Sequence, residues 1–181
     1  MPVYIALLRA VNVGGGAQVK MEALRALLSR MGFEGAQSLL QSGNVVFRSD
    51  EVSRTKLEAR LEERLANDLH VPTDFFVRSA AEWESILAGN PFPREAREAP
   101  GYLIVTLLKD TPSPESWKKL DAAIRGPERV RGGGRHAYIV YPDGQGRSKL
   151  TLSLIEKNLG TRGTSRNWNT VTKLGILASG S

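Results

Sequence analysis

Val3-Tyr-Ile-Ala-Leu-Leu8 is apolar almost without interruption and halts at Arg9, which leaves few ways to fold the start of this chain. Six residues fall far short of the roughly 20 that a membrane helix needs. Without polar alternation the run reads as a strand buried on both faces, inside a sheet rather than at its margin. The same pattern returns at Gly101-Tyr-Leu-Ile-Val-Thr-Leu-Leu108. The segments after each run predict the rest of the architecture.

After the first run, Gly14 to Gly16 form a glycine loop, and Met21, Leu24, Leu28 and Met31 recur at helical spacing until Gly32 stops them. Ala36 to Gln41 and Asn44 to Arg48 read as strands joined through Ser42-Gly43. Leu57, Leu61, Leu65 and Leu69 make one face of a second helix, and Thr73 to Arg78 a fourth strand. Ser79-Ala-Ala-Glu82 is a capping box that opens a further helix, with Trp83, Ile86 and Leu87 inward. Arg94 to Pro100 reads as a linker. The order then begins again. Ser113-Pro114 starts a helix bearing Trp117, Leu120 and Ile124; Arg129 to Arg131 and His136 to Tyr141 flank a glycine turn; a helix spans Ser148 to Leu159; a strand lies near Thr164 to Trp168; and Val171, Leu174 and Leu177 line a last helix. The expected fold is α+β: two tandem ferredoxin-like (βαββαβ) units, each with an extra helix after it. The units are expected at 1–80 and 101–181, with helix and linker at 81–100.

Charge is distributed unevenly over this order. The net +6 resolves into 12 Lys/Arg against 13 Asp/Glu in residues 1–100 and 13 against 6 in residues 101–181. A basic half can attract a phosphate-bearing partner, nucleic acid or nucleotide. The absence of cysteine excludes disulfides and thiolate chemistry. His70 and His136 lack metal-ligand spacing, so neither metal nor cofactor is expected. Without a signal-peptide pattern or a long apolar run, the expected location is cytoplasmic, with no membrane partner. The oligomeric state is left open.

Two polar clusters stand out on this topology. In a ferredoxin-like unit the loop after the first strand and the turn between the second and third lie at one end of the sheet. That groups Arg9, Asn12, Gly14 and Gly15 with Gln41, Ser42 and Asn44, which could cradle a polar ligand or simply hold turns. In the second half, Gly144, Gly146, Arg147, Ser148 and Lys149 form a glycine loop running into a helix start, a pattern suited to a phosphate. Arg166, Asn167 and Asn169 are expected beside it. Asp143 could act as a base or serve as an ordinary turn residue.

Tyr4-Ile-Ala-Leu-Leu-Arg-Ala-Val-Asn-Val-Gly-Gly15, Gly32-Phe33, Gln41-Ser-Gly-Asn-Val-Val-Phe47, Asn90-Pro-Phe92 and Arg166-Asn-Trp-Asn-Thr-Val171 together resemble DUF1697, a bacterial family of unknown function. Arg9-Ala-Val-Asn12 departs from the Arg-Gly-Ile-Asn common in that family but keeps both polar residues. The resemblance implies two ferredoxin-like halves and brings no activity. The residues support binding of a phosphate-bearing ligand by the basic half. The alternatives are a small-molecule enzyme at the Arg9 and Gln41 end, and a protein that self-associates through sheet edges without a ligand.

Overall fold

The computed structural model describes residues 1–12 and 17–181. Contacts group the chain into two compact units, Met1–Ala88 with Lys173–Ser181, and Gly89–Thr172. The first contains β1 (Val3–Leu8), α1 (Met21–Arg30), β2 (Glu34–Ser38), β3 (Asn44–Arg48), α2 (Arg54–Leu69), β4 (Phe75–Ser79) and α3 (Ala80–Ala88). After α4 (Pro93–Glu98) come β5 (Leu103–Leu108), α5 (Pro114–Ala123), β6 (Arg129–Gly133), β7 (His136–Val140), α6 (Leu152–Leu159), β8 (Gly163–Asn167) and α7 (Trp168–Ser179). The last turns of α7 belong by their contacts to the first unit.

Each unit holds one four-stranded antiparallel sheet, in the orders β2-β3-β1-β4 and β6-β7-β5-β8. Both apolar runs are therefore interior strands, as their composition requires. The duplication extends to the register. Leu7 pairs with Asn44 and Leu8 with Phe75; Leu107 pairs with His136 and Leu108 with Gly163. Leu8 N–H donates to Gly43 O and Leu108 N–H to Arg135 O, both at 2.8 Å, while Arg9 and Lys109 donate to Asp74 O and Arg162 O. The fold is α+β, built of tandem ferredoxin-like units.

One face of each sheet is covered by its two crossover helices. Tyr4, Ala6, Leu8, Phe47 and Phe75 pack with Leu24, Leu28, Leu57, Leu61 and Leu65. Ile104, Leu108, Ile139 and Tyr141 pack with Leu120, Ile155 and Leu159. Burying one such side chain stabilises the fold by about 1.5–3 kcal/mol. Ile5, Leu7, Val46 and Phe76, on the alternate face, are also buried, which explains why the first run does not alternate.

The margin strand β4 would expose unpaired N–H groups, but α2 closes it. Phe75 N–H donates to Glu62 Oε1 and Val77 N–H to Glu58 Oε1, both at 3.0 Å. In the second unit Gly163 N–H donates to Glu156 Oε2 at 3.1 Å. Leu152 stands one turn earlier, where α2 has Glu58, so this carboxylate latch is single. Side-chain acceptors of this kind protect an edge from pairing with another chain.

Several element boundaries differ from the sequence expectation. The first hairpin closes through residues 39–43, not through Ser42-Gly43 alone, with Leu40 (φ 61) and Gly43 (φ 83) left-handed. The stretch read as a linker, Arg94–Pro100, carries a short helix, because Pro93 at the first helical position starts α4. The helix expected from Ser148 begins at Leu152. Thr151 caps it, accepting from Leu154 N–H, while the chain around Ser148 remains extended. β8 ends at Asn167, and Trp168 opens α7. No helix among the described residues is long and apolar enough to cross a membrane.

Candidate functional site

The topology does join the two polar stretches of the first unit. Beyond β1, Val11 forms an isolated parallel bridge with Ala17, and Asn12 takes a left-handed conformation, φ 55. Its Nδ2 donates to Val19 O and to Gln41 O, both at 2.6 Å, and its Oδ1 accepts from Val19 N–H at 2.7 Å. One amide thus holds the loop after β1 against the hairpin. Asn44, wholly buried, donates from Nδ2 to Leu39 O at 2.8 Å and to Ser42 Oγ at 3.1 Å. Gly43 carries the close approach: a Cβ there would stand 2.7 Å from Val11 Cγ2 and 2.9 Å from Leu8 Cβ. Arg9 is fixed through its backbone, its carbonyl accepting from Thr73 Oγ1. Gln41 is exposed and Ser42 half-buried. Gly14 and Gly15 lie outside the described residues. Asn12 thus joins the two loops, and Asn44 braces the hairpin turn from within.

In the second unit a cavity of about 330 Å³ opens between the end of α5 and the loop after β7. Arg125, Glu128, Asp143, Arg147, Ser148 and Lys149 supply its polar wall. Gly144, at φ 87, lets the loop leave β7, and a short 3-10 turn, Gln145–Arg147, follows. Ser148 is no helix cap. Its Oγ donates to Glu128 Oε1 at 2.5 Å and accepts from Leu150 N–H at 2.9 Å, tying the loop to the segment after α5. At Gly126 a Cβ would meet Glu128 Oε2 at 2.5 Å, so glycine there lets the carboxylate lie against the chain. Tyr141 donates its hydroxyl to Leu150 O at 3.0 Å; burial, and then the charge of Glu128, push that hydroxyl far above its ordinary range and keep it a donor.

Arg147 and Lys149 therefore line one cavity, whereas Arg166, Asn167 and Asn169 do not. The Arg166 guanidinium donates to Thr164 Oγ1 and Ser165 O, each at 2.8 Å, and burial lowers its pKa to about 10. Asn167 Oδ1 accepts from Thr170 N–H at 3.1 Å and so caps α7, the part Ser79 plays for α3. Asn169 is exposed. Of the three cations expected together, Arg147 and Lys149 line this cavity with Arg125, and Arg166 does not. The sequence reading missed Arg125, and the signal available was the Gly126-Pro127 stop, which turns the chain there.

A further pair was also missed. Arg78 and Arg166 occupy the penultimate position of the last strand in each unit, and each donates to the carbonyl of the residue before it, Val77 O at 2.9 Å and Ser165 O at 2.8 Å. Arg78 is 2% exposed, with Glu58 Oε1 at 4.0 Å. An arginine immediately before a capping Ser or Asn, as at Arg78-Ser79 and Arg166-Asn167, was the legible trace.

A family model described as "Protein of unknown function (DUF1697)" matches residues 1–138. The Arg166–Val171 stretch lies beyond that match. No curated protein matches. Among solved structures, the conserved bacterial protein SP0830 from Streptococcus pneumoniae is similar, with a TM-score of 0.78, 22% identity and 98% of each chain covered, a likeness of fold. The structure of "Putative Chlorite dismutase TA0507" aligns over 98% of this chain and 100% of its own at 10% identity, but its TM-score of 0.25 carries no argument.

Proposed function

The chain belongs to the DUF1697 family of proteins of unknown function, and from that premise we propose that it binds a phosphate-bearing ligand in the cavity bordered by Arg125, Arg147 and Lys149. One observation carries this reading: two arginines and a lysine, from two segments of the chain, border a single cavity. The guanidiniums suit bidentate contacts to phosphate oxygens. Charge supports the choice of unit. Residues 89–172 hold 14 Lys/Arg against 8 Asp/Glu, while the remainder hold 11 against 11. Glu128 and Asp143 leave the wall with a small net positive charge, so recognition rests on placed donors more than on bulk attraction.

The rival readings are a small-molecule enzyme at Arg9, Asn12, Gln41, Ser42 and Asn44, and self-association through sheet edges. Against the first, the amides of Asn12 and Asn44 are spent on neighbouring loop groups. Calorimetric titration with tripolyphosphate tests the proposal, using the wild type and an Arg147→Ala, Lys149→Ala variant at two salt concentrations. The variant should bind at least about tenfold more weakly, the equivalent of about 1.4 kcal/mol. Its salt dependence should be shallower. Absence of binding, or equal binding by both proteins, would sink it.

A further inference from the structure

A second depression, of about 580 Å³, adjoins the first, lined by Tyr102, Asp143, Gly144, Gly146 and Arg147. Asp143 and Arg147 belong to both. Tyr102 is one of the few large apolar side chains left in solvent, 50% exposed, yet its backbone is firmly placed. Its carbonyl accepts from Tyr141 N–H at 2.9 Å, and the Tyr141 carbonyl accepts from Gly144 N–H at 3.0 Å. The two glycines of the depression add no side chain to it. A Cβ at Gly146 would meet nothing within 4 Å, and one at Gly144 would meet only Tyr102 Cε1, at 4.0 Å.

We infer that the ligand of the proposed phosphate site is a nucleotide unit, its base stacked on Tyr102 and its phosphates in the cavity of Arg125, Arg147 and Lys149. The inference rests on the phosphate reading and adds the base to it. An exposed aromatic ring beside an arginine is the combination that holds an unpaired base and its phosphate, because every base has a π-face and the guanidinium bonds the phosphate oxygens. Asp143, on the wall that the two depressions share, offers a carboxylate that accepts from the amino groups of a base. The same nucleotide chemistry is presented by a free nucleotide and by a single strand.

Titration with tripolyphosphate, a nucleoside triphosphate and a short single-stranded oligonucleotide separates these elements, using wild type, Tyr102→Ala and Tyr102→Phe. Stacking contributes about 1–3 kcal/mol per base, so the nucleoside triphosphate should bind roughly 5- to 150-fold more tightly than tripolyphosphate. Tyr102→Ala should abolish that excess and leave tripolyphosphate affinity within about twofold, while Tyr102→Phe, which retains a ring, should preserve it. An unchanged thermal midpoint in Tyr102→Ala would exclude misfolding as the cause. Tighter binding of the oligonucleotide would identify a single strand as the source, and tighter binding of the triphosphate a free nucleotide. Equal affinity for tripolyphosphate and nucleoside triphosphate, or a nucleotide preference that survives in Tyr102→Ala, would overturn the base assignment and leave the phosphate site standing. Failure of all three ligands to bind would overturn both.

Discussion

The two units share strand order, the register of the central strand with its neighbours and even flanking backbone hydrogen bonds, yet each has elaborated a different corner. In the first, the chain between β1 and α1 is long and is pinned to the hairpin through Asn12. In the second, that connection is short, and the length lies between β7 and α6, where Arg147 and Lys149 border a cavity. The first elaboration spends its amide groups on itself; the second leaves cations facing open space. A duplicated frame thus separates what the fold requires from what it can spare for a ligand.

The strongest test of the shared frame is to place a charge at matching core positions. Leu61 and Ile155 each precede the glutamate that latches the margin strand, and they are 0% and 1% exposed. Leu61→Asp and Ile155→Asp should each destabilise their unit by about 3 kcal/mol or more, through lost packing and a buried carboxylate. Denaturant unfolding within about half a kcal/mol of wild type for either variant would break the equivalence.

The latches should differ. Glu58 is 5% exposed, accepts from Val77 N–H and bonds Arg54, with Arg78 close by. Glu58→Ala should therefore cost about 3 kcal/mol, because it removes a carboxylate from beside a buried guanidinium and the acceptor of Val77 N–H. Glu156→Ala removes a single carboxylate latch and should cost about 1–2 kcal/mol. Similar losses for the two, by chemical denaturation, would contradict a double latch in one unit and a single one in the other.

Glycines at the two elaborated corners sharpen the contrast further. Gly43→Ala meets Val11 and Leu8 and must adopt φ 83, so a loss of about 2 kcal/mol is expected. Gly146→Ala, with open space around it, should change stability by less than about 0.5 kcal/mol. A tolerated Gly43→Ala would mean that the first corner is loosely held.

Alkaline titration gives the smallest effect. Burial raises the Tyr138 hydroxyl from 10 to about 12 and pushes Tyr141 higher still, so the folded state holds these protons longer. Their contribution to stability is intact below pH 10 and is lost as pH climbs from 10 toward 12. Arg166, lowered by burial from 12.5 to about 10, acts in the opposite sense and gains back stability over about pH 10 to 12.5. Burial raises Tyr4 as well, so three tyrosines stand against one arginine, and the melting temperature should fall above pH 10, less steeply in Tyr138→Phe. A melting temperature that is flat across this range would contradict the tyrosine burial.

Element order was legible because each element carries a local signature: unbroken apolar runs for β1 and β5, a leucine stripe for α2, and a capping box at Ser79. Boundaries failed where a side chain had a distant partner. Ser148 reads as a helix cap only as long as Glu128, twenty residues earlier, is ignored. Arg166 reads as a surface cation until its place next to the last strand residue puts it among buried neighbours. Arg125 was passed over because periodicity says nothing about where a chain lands after a proline stop.

The proposed ligand site lies in the second unit, at the loop after β7, and not at the polar corner of the first. An amide-resolved NMR titration with tripolyphosphate tests it most directly. Shifts should concentrate at residues 124–128 and 143–150, while those at 9–12 and 39–44 stay unmoved. Shifts concentrated at Asn12, Gln41 and Ser42, or no saturable shift anywhere, would contradict it.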